Sequence, residues 1–263
     1  MQAAYVKLAD IYSTHGEHHM SKTIKRICMW SGPRNISTAL MYSFRQRSDT
    51  TVFDEPHYGH YLKTVGVEHP GDQDVIANTN CNGNEVTESI ILGEHGTPVA
   101  FFKNMAHHLE GLETSFLARV DNLLLTRHPH DMLTSLIKNL PNPVLRDTGL
   151  KEQHDLLQMI LAAGQEPIVL ESREVLKNPR SVLTQLCNKL AIPFEESMLS
   201  WPAGPKPEDG IWAKYWYHNV HKSTGFAPYQ AKNDVLPGRL EPLLNDCLGL
   251  YDTLKTYSIK GAA

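Results

Sequence analysis

The sequence predicts a single α/β domain with a mostly parallel central sheet flanked by helices. Two observations lead there. Apolar runs of strand length alternate with stretches of helical periodicity, the pattern of repeated βαβ units. One of these units, Arg26-Ile27-Cys28-Met29-Trp30-Ser31-Gly32-Pro33-Arg34-Asn35-Ile36-Ser37-Thr38-Ala39-Leu40, reads as a buried strand, a short loop and an amphipathic helix opened by hydroxyl residues. Such a turn aims free backbone N–H groups and the positive end of a helix at one point, which makes it an anion site. The chain has 263 residues, 41% of them hydrophobic, enough for one large domain with a real core.

The strands are expected at Arg26–Ser31, Thr50–Asp54, Pro98–Lys103, Asn122–Thr126 and Pro167–Glu171. Helical spacing fills Ile36–Arg47, Glu85–Leu92, Leu112–Leu117, Asp131–Leu140, Lys151–Ala163 and Pro179–Leu190, and a last amphipathic helix covers Leu240–Leu254. Between Pro193 and Pro237 the chain is irregular and aromatic, with Trp201, Trp212, Tyr215, Trp216 and Tyr217. The globular pattern begins near Ile24, so the domain is placed at 24–263. Residues 1–23, with His15, His18 and His19, are read as a solvated, poorly ordered extension, and Met20 as a possible alternative start.

Composition excludes several classes. The formal net charge is −4, and no segment carries the basic excess of a nucleic-acid surface. No apolar run approaches the roughly 20 residues that span a bilayer. The first twenty residues are polar and His-rich, unlike a secretory signal. Cys28, Cys81, Cys187 and Cys247 are far apart and form no CxxC, which fits unpaired thiols in the cytoplasm. Fourteen histidines raise the question of a metal, but there is no H-E-x-x-H and adjacent pairs such as His107-His108 point to different sides of an element, so none is expected.

The candidate chemistry sits at strand ends. The 26–40 unit lacks G-x-x-x-x-G-K-[ST] and is not a Walker A loop. Ser37 and Thr38 fall in the helix's first turn, where a hydroxyl either caps the helix or reaches a bound phosphate; Arg34 offers a fork of donors to a charged oxygen. Arg127 ends a second strand, with Pro129 opening the next helix and Ser135 about two turns into it. Thr50-Thr51-Val52-Phe53-Asp54-Glu55 ends in two carboxylates at the edge where α/β sheets bind ligands. Val99 to His108 is a strand carrying Lys103 and ending in two histidines.

Together these stretches resemble the sulfotransferases that use 3′-phosphoadenosine 5′-phosphosulfate, over about Ile24 to Thr224. Pro33-Arg34-Asn35-Ile36-Ser37-Thr38 is similar to that family's phosphosulfate loop, Pro-Lys/Arg-x-Gly-Thr-Thr, and Arg127, Pro129, Asp131 and Ser135 match its Arg-x-Pro-x-Asp-x-x-x-Ser grip on the 3′-phosphate. Ser172 through Pro179 resembles the Tyr-Glu-Asp-Leu-x-x-x-Pro segment; within the family, Trp216-Tyr217 and His221–Phe226 resemble a late stretch of poorly characterised members. Two departures stand out: Ile36 replaces the loop Gly, and Ser172 replaces a Tyr.

The resemblance implies a P-loop NTPase-like sulfotransferase fold and an enzyme moving a sulfuryl group to a hydroxyl or amine of a small acceptor, without a metal ion. It implies donor binding by Gly32, Pro33, Arg34, Asn35, Ile36, Ser37 and Thr38, by Arg127 and Ser135, and by Lys222, Ser223 and Thr224, which otherwise read as a surface turn. Arg34 is the expected transition-state cation, Glu55 the expected base, and His107 the second candidate, through a loose likeness to a Lys-Thr-His strand end. Asp54 is read as structural, and Lys103 as either a charge neutraliser or a lining residue. At least one of Trp212 and Trp216 is assigned to the core. The competing readings are a P-loop kinase with Asp54 or Glu55 as base or metal holder, and a nucleotide-binding relative without turnover. No nucleic-acid or membrane partner is expected, and the chain is read as a monomer or homodimer.

Overall fold

Period-2 burial along the strands divides the core into two halves. In the computed structural model, which describes residues 24–231 and 234–261, Ile27 and Met29 of strand β1 (Lys25–Ser31) face one side of the sheet while Cys28 and Trp30 face the other. The same split recurs in β2 (Thr50–Asp54), β3 (Val99–Met105), β4 (Asp121–Thr126) and β5 (Ile168–Glu171). All neighbouring strands are parallel, in the order β2-β3-β1-β4-β5. The 1–23 extension lies outside the described residues.

Helices are α1 (Ser37–Arg45), α2 (Tyr58–Val65), α3 (Asp72–Asn78), α4 (Gly83–Val86), α5 (Pro129–Leu136), α6 (Leu150–Ala162), α7 (Ser172–Lys177), α8 (Pro179–Lys189), α9 (Ala213–Trp216) and α10 (Glu241–Thr256). Their apolar stripes decide which face each covers. Leu40, Met41 and Phe44 of α1 pack with Val182, Leu183 and Leu186 of α8 on the Ile27 side. Met132, Leu133 and Leu136 of α5, Leu156, Leu157 and Ile160 of α6, and Cys247, Tyr251 and Leu254 of α10 close the Trp30 side.

The five strands lie where the alternating pattern puts them, to within two residues. The helices depart more. Leu112–Leu117 is not an α-helix; a 3₁₀ turn, Ser115–Arg119, stands there, too short for a full apolar stripe. The helix expected at Glu85–Leu92 is the single turn of α4 continued by a π turn, Thr87–Ile91. The helix expected at Asp131–Leu140 begins at Pro129, whose missing N–H costs nothing at a first turn.

Helices α2 and α3 were not expected. They join α9 in a third, smaller apolar cluster of Tyr58, Tyr61, Leu62, Val75, Trp212, Ala213 and Tyr217. Among the described residues no helix is long and apolar enough to cross a membrane.

The strand order sets the site. From β1 the chain crosses to the edge strand β2, returns to β3 beside β1, and then passes to β4 and β5 on the other side, so the crevice at the carboxyl ends of β1 and its neighbours is the topological switch point. Gln153 of α6 holds that end together. It is fully buried, and its Nε2 donates to the carbonyls of Trp30 (2.8 Å) and Leu125 (2.7 Å), at the ends of β1 and β4.

Candidate active site

A cleft of about 790 Å³ opens at the carboxyl edge of the sheet, and one end of it is cationic. Its floor is the loop from β1 into α1. Helix α1 has no side-chain cap and no acidic residue in its first turn, so its leading N–H groups are left for a ligand. Asn35 braces the loop: its Oδ1 accepts from the Ile36 N–H (2.9 Å), and its Nδ2 donates to the Leu125 carbonyl (3.1 Å). A Cβ on Gly32 would lie 2.8 Å from the Thr148 carbonyl oxygen, so this glycine serves the packing of the loop and is absent from the cleft wall.

Arg34 donates from Nε to Ser135 Oγ (3.1 Å), and Arg127, just beyond β4, donates to the Arg34 carbonyl. Burial lowers both guanidinium pKa values. Among the described residues no carboxylate lies within ion-pair distance of either, because Asp131 is taken by Arg173 at 3.0 Å. Burial opposes ionisation of Asp131, yet Arg173 outweighs it and holds this carboxyl below its usual range. Arg173 also lies over the Tyr229 ring, 5.7 Å from its centroid. Two cations without carboxylate partners beside an uncapped helix start suit a bound anion.

The other end holds a buried polar network. Lys103 is 1% exposed, and its ammonium donates to Asp54 Oδ1 (2.8 Å), Tyr217 Oη (2.7 Å) and Glu55 Oε1. Asp54 also accepts from Tyr217 Oη (2.8 Å) and the Gly210 N–H (2.9 Å), and Trp212 Nε1 donates to Tyr217 Oη (3.3 Å). Burial disfavours the charged Lys103, but the two carboxylates outweigh it and hold its pKa well above the ordinary value. Burial, with the charge of Asp54, pushes Glu55 up against the pull of Lys103. His107 and His108 line the same end; burial drives His107 down to about 3 and His108 well below its usual value.

Arg34 and Glu55 share a backbone feature. Their φ angles are +53° and +45°, and the only other non-glycine residue with positive φ among the described residues is Ala191, behind α8. Left-handed backbone at such residues costs on the order of 1–3 kcal/mol and persists where surroundings impose it. For Glu55 those are its N–H to the Lys103 carbonyl (2.7 Å) and its carbonyl from the Tyr58 N–H (3.0 Å).

Pro33, Arg34, Asn35, Ile36, Ser37, Thr38, Glu55, His107, Arg127 and Ser135, proposed from sequence, all meet in this cleft. Lys222 and Thr224 do not; both are exposed and outside its wall. The Trp201 N–H donates to the Thr224 carbonyl (3.1 Å) and Ser200 bridges Gly225; Ser223 and residues 225–230 line the cleft, while Lys222 and Thr224 lie outside it. Ser223 Oγ is itself engaged, donating to the Val220 carbonyl (2.7 Å) and accepting from Trp201 Nε1 (3.1 Å). Trp212 is core and Trp216 walls the cleft. Sequence reasoning missed Tyr58 and Tyr61, although Tyr58, Tyr61, Leu62 and Val65 keep helical i, i+3, i+4, i+7 spacing. It also missed the Tyr217 hydroxyl, which nothing local connects to Lys103.

The model of the sulfotransferase domain matches residues 25–258, an interval that contains the whole cleft wall. The chain belongs to the sulfotransferase-domain family. Two Arabidopsis thaliana proteins, branched-chain-amino-acid aminotransferase-like proteins 1 and 2, are each 38% identical to it over 229 residues, which is 87% of this chain. That stretch is 41% of either relative, so this sulfotransferase domain spans less than half of their length. Solved sulfotransferase domains share the fold. The one from the Synechococcus PCC 7002 olefin synthase aligns with a TM-score of 0.58 at 18% identity, covering 88% of this chain and 94% of its own. The sulfotransferase domain of the curacin biosynthetic pathway gives 0.51 at 15% identity, covering 87% and 98%. The sulfotransferase from Alicyclobacillus acidocaldarius gives 0.51 at 14%, covering 88% and 94%.

Proposed function

We propose that this domain transfers a sulfuryl group from 3′-phosphoadenosine 5′-phosphosulfate to a small-molecule acceptor. The observation that carries the reading is the polarity of the cleft. Two guanidiniums without carboxylate partners and an uncapped helix start form one end, and a buried carboxylate, Glu55, lines the same cleft. The first end fits a donor with two anionic groups: the 33–38 loop and Arg34 hold the phosphosulfate, Arg127 and Ser135 the 3′-phosphate, and Arg173 with Tyr229 the nucleoside side. Bound there, the donor supplies an activated sulfur and a phosphate leaving group. Arg34 stabilises charge that grows on the bridging oxygen, and Glu55 removes the acceptor's proton. A sulfuryl group carries less charge than a phosphoryl group, so the scheme needs no metal clamp. Four free cysteines suit action in the reducing cytoplasm.

One observation favours a binding protein without turnover: the Ile36 N–H, where the family loop has Gly, is already taken by Asn35 Oδ1. Sulfate transfer from labelled donor, measured over a panel of acceptors, separates the two readings.

Two outcomes test the donor end. Adenosine 3′,5′-bisphosphate is expected to raise the melting temperature clearly more than adenosine 5′-phosphate, because a ligand that binds only the folded state stabilises it. Arg127→Ala weakens that binding about 10- to 100-fold, from the loss of a charge-assisted hydrogen bond of about 1.5–3 kcal/mol; equal shifts from both nucleotides overturn the assignment. Arg34→Ala is expected to lower kcat and kcat/KM together, by about 10²–10³, as for other donors aimed at developing charge. Calorimetry should show the bisphosphate dissociation constant little changed, and Arg34→Lys should keep far more activity. Normal turnover by Arg34→Ala removes the loop from the chemistry.

A further inference from the structure

Charge is unbalanced, and hydrogen-bonding capacity is left over, where Glu55, His107 and His108 line the cleft. Asp54 and Glu55 bring two carboxylates to a single ammonium, Lys103. No second positive charge comes from the imidazoles beside them. Burial keeps His107 and His108 neutral, and for His108 the neighbouring imidazoles and Lys103 push the same way. Hydrogen-bonding groups are left without partners at the same place. All three protons of Lys103 are committed. Glu55 Oε2 stands 3.9 Å from His108 Nε2, too far for a direct bond. Neither ring nitrogen of His108 has a partner, and His107 Nδ1 has none, although the two residues are only 0% and 6% exposed and both line the cleft.

A neutral imidazole keeps one nitrogen lone pair and one N–H. Two such rings and one carboxylate oxygen therefore offer three acceptors, with N–H donors among them, beside two carboxylates that share a single ammonium. A hydroxyl can pair with these groups but brings no charge to this place. A quaternary ammonium brings the charge and no donor. A primary ammonium brings three N–H donors and a charge of +1. The walls suit the rest of such a molecule: the Tyr61 ring packs on both imidazoles at 4.6 and 5.0 Å, and Tyr58 lies between His108 and Trp212, 5.1 Å from each.

We propose that the acceptor is a primary amine, seated as its ammonium between Glu55, His107 and His108. The inference rests on the sulfuryl-transfer reading. Glu55 takes one proton from the ammonium. The freed nitrogen lone pair forms an N–S bond while the S–O bond to the donor phosphate breaks, its electron pair staying on the phosphate oxygen. The N-sulfonated nitrogen then gives its second proton to His108. The products are a sulfamate and adenosine 3′,5′-bisphosphate, and the two protons pass from Glu55 and His108 to solvent.

The test compares amines with alcohols of the same carbon skeleton: phenethylamine with 2-phenylethanol, and hexylamine with 1-hexanol. Each is titrated calorimetrically into the protein saturated with adenosine 3′,5′-bisphosphate. At least one amine is expected to bind about tenfold or more tightly than its alcohol, the weight of one charge-assisted hydrogen bond. With the full donor, mass spectrometry should then show the sulfamate. His108→Phe keeps the ring and removes its nitrogens, and should erase the preference while leaving bisphosphate affinity unchanged. The wild-type comparison stands without that variant. Alcohols binding as tightly as the amines, or no amine binding to the bisphosphate complex, overturn the amine subsite and leave sulfuryl transfer standing. Failure of the bisphosphate itself to bind overturns the sulfuryl-transfer reading instead.

Discussion

Glu55→Gln is expected to lower kcat by about 10²–10⁴, the usual weight of a general base, while binding of adenosine 3′,5′-bisphosphate stays nearly intact. The amide keeps the shape of the side chain and the contact with Lys103 but cannot take a proton. The pH profile carries the same signature. Burial, with Asp54, raises the Glu55 pKa, and the base must be ionised to work. Activity therefore falls as pH drops, and the acid limb of kcat/KM should lie above the ordinary Glu value of about 4.3. His107→Ala should be milder, because a ring held near 3 by burial is a weak base at neutral pH. Single-turnover rates and pH profiles of the two variants check this. An active Glu55→Gln beside a dead His107→Ala moves the base to the histidine.

Lys103→Met is expected to destabilise the fold by about 3–5 kcal/mol, the cost of leaving buried charge unpaired. Asp54 and Glu55 then face each other without a cation, and the Tyr217 hydroxyl loses one of its two donors. The sign with pH follows. Unpaired buried carboxylates bind protons more tightly folded than unfolded, so the deficit shrinks as pH falls and grows as it rises. Adding Asp54→Asn and Glu55→Gln to Lys103→Met should recover part of the loss. Urea denaturation at several pH values measures both effects; a Lys103→Met protein as stable as the parent means that the triad does not depend on its central cation.

Much of this was legible in the chain itself, for local reasons. A parallel strand buried on both faces is a run of apolar residues, and Met29, Phe101, Leu124 and Leu170 sit in such runs. The loop before α1 is read from consecutive residues, since helix starts obey short-range rules. The Arg127–Ser135 spacing survives because one strand end and one short helix carry all of it. Lys222 and Thr224 were misplaced because their side is chosen by the contact of Thr224 with Trp201, more than twenty positions away in sequence.

The sequence by itself determined the five strands and their order along the chain, the strand–loop–helix turn after β1, and the placing of Arg34, Arg127 and Glu55 at strand ends. These follow from periodicity and from the rule that parallel sheets bind ligands at their carboxyl edge. Only the tertiary structure decided what surrounds them. Lys103 lies 48 positions from Glu55 and 114 from Tyr217, yet all three share one hydrogen-bonded cluster. No spacing rule spans such separations; the strand order brings β2 beside β3, and α9 closes over them. The neutrality of His107 and His108 has the same origin, because the water that would solvate a charged imidazole is excluded by rings from α2 and by the end of β3, elements that meet only when the chain is folded.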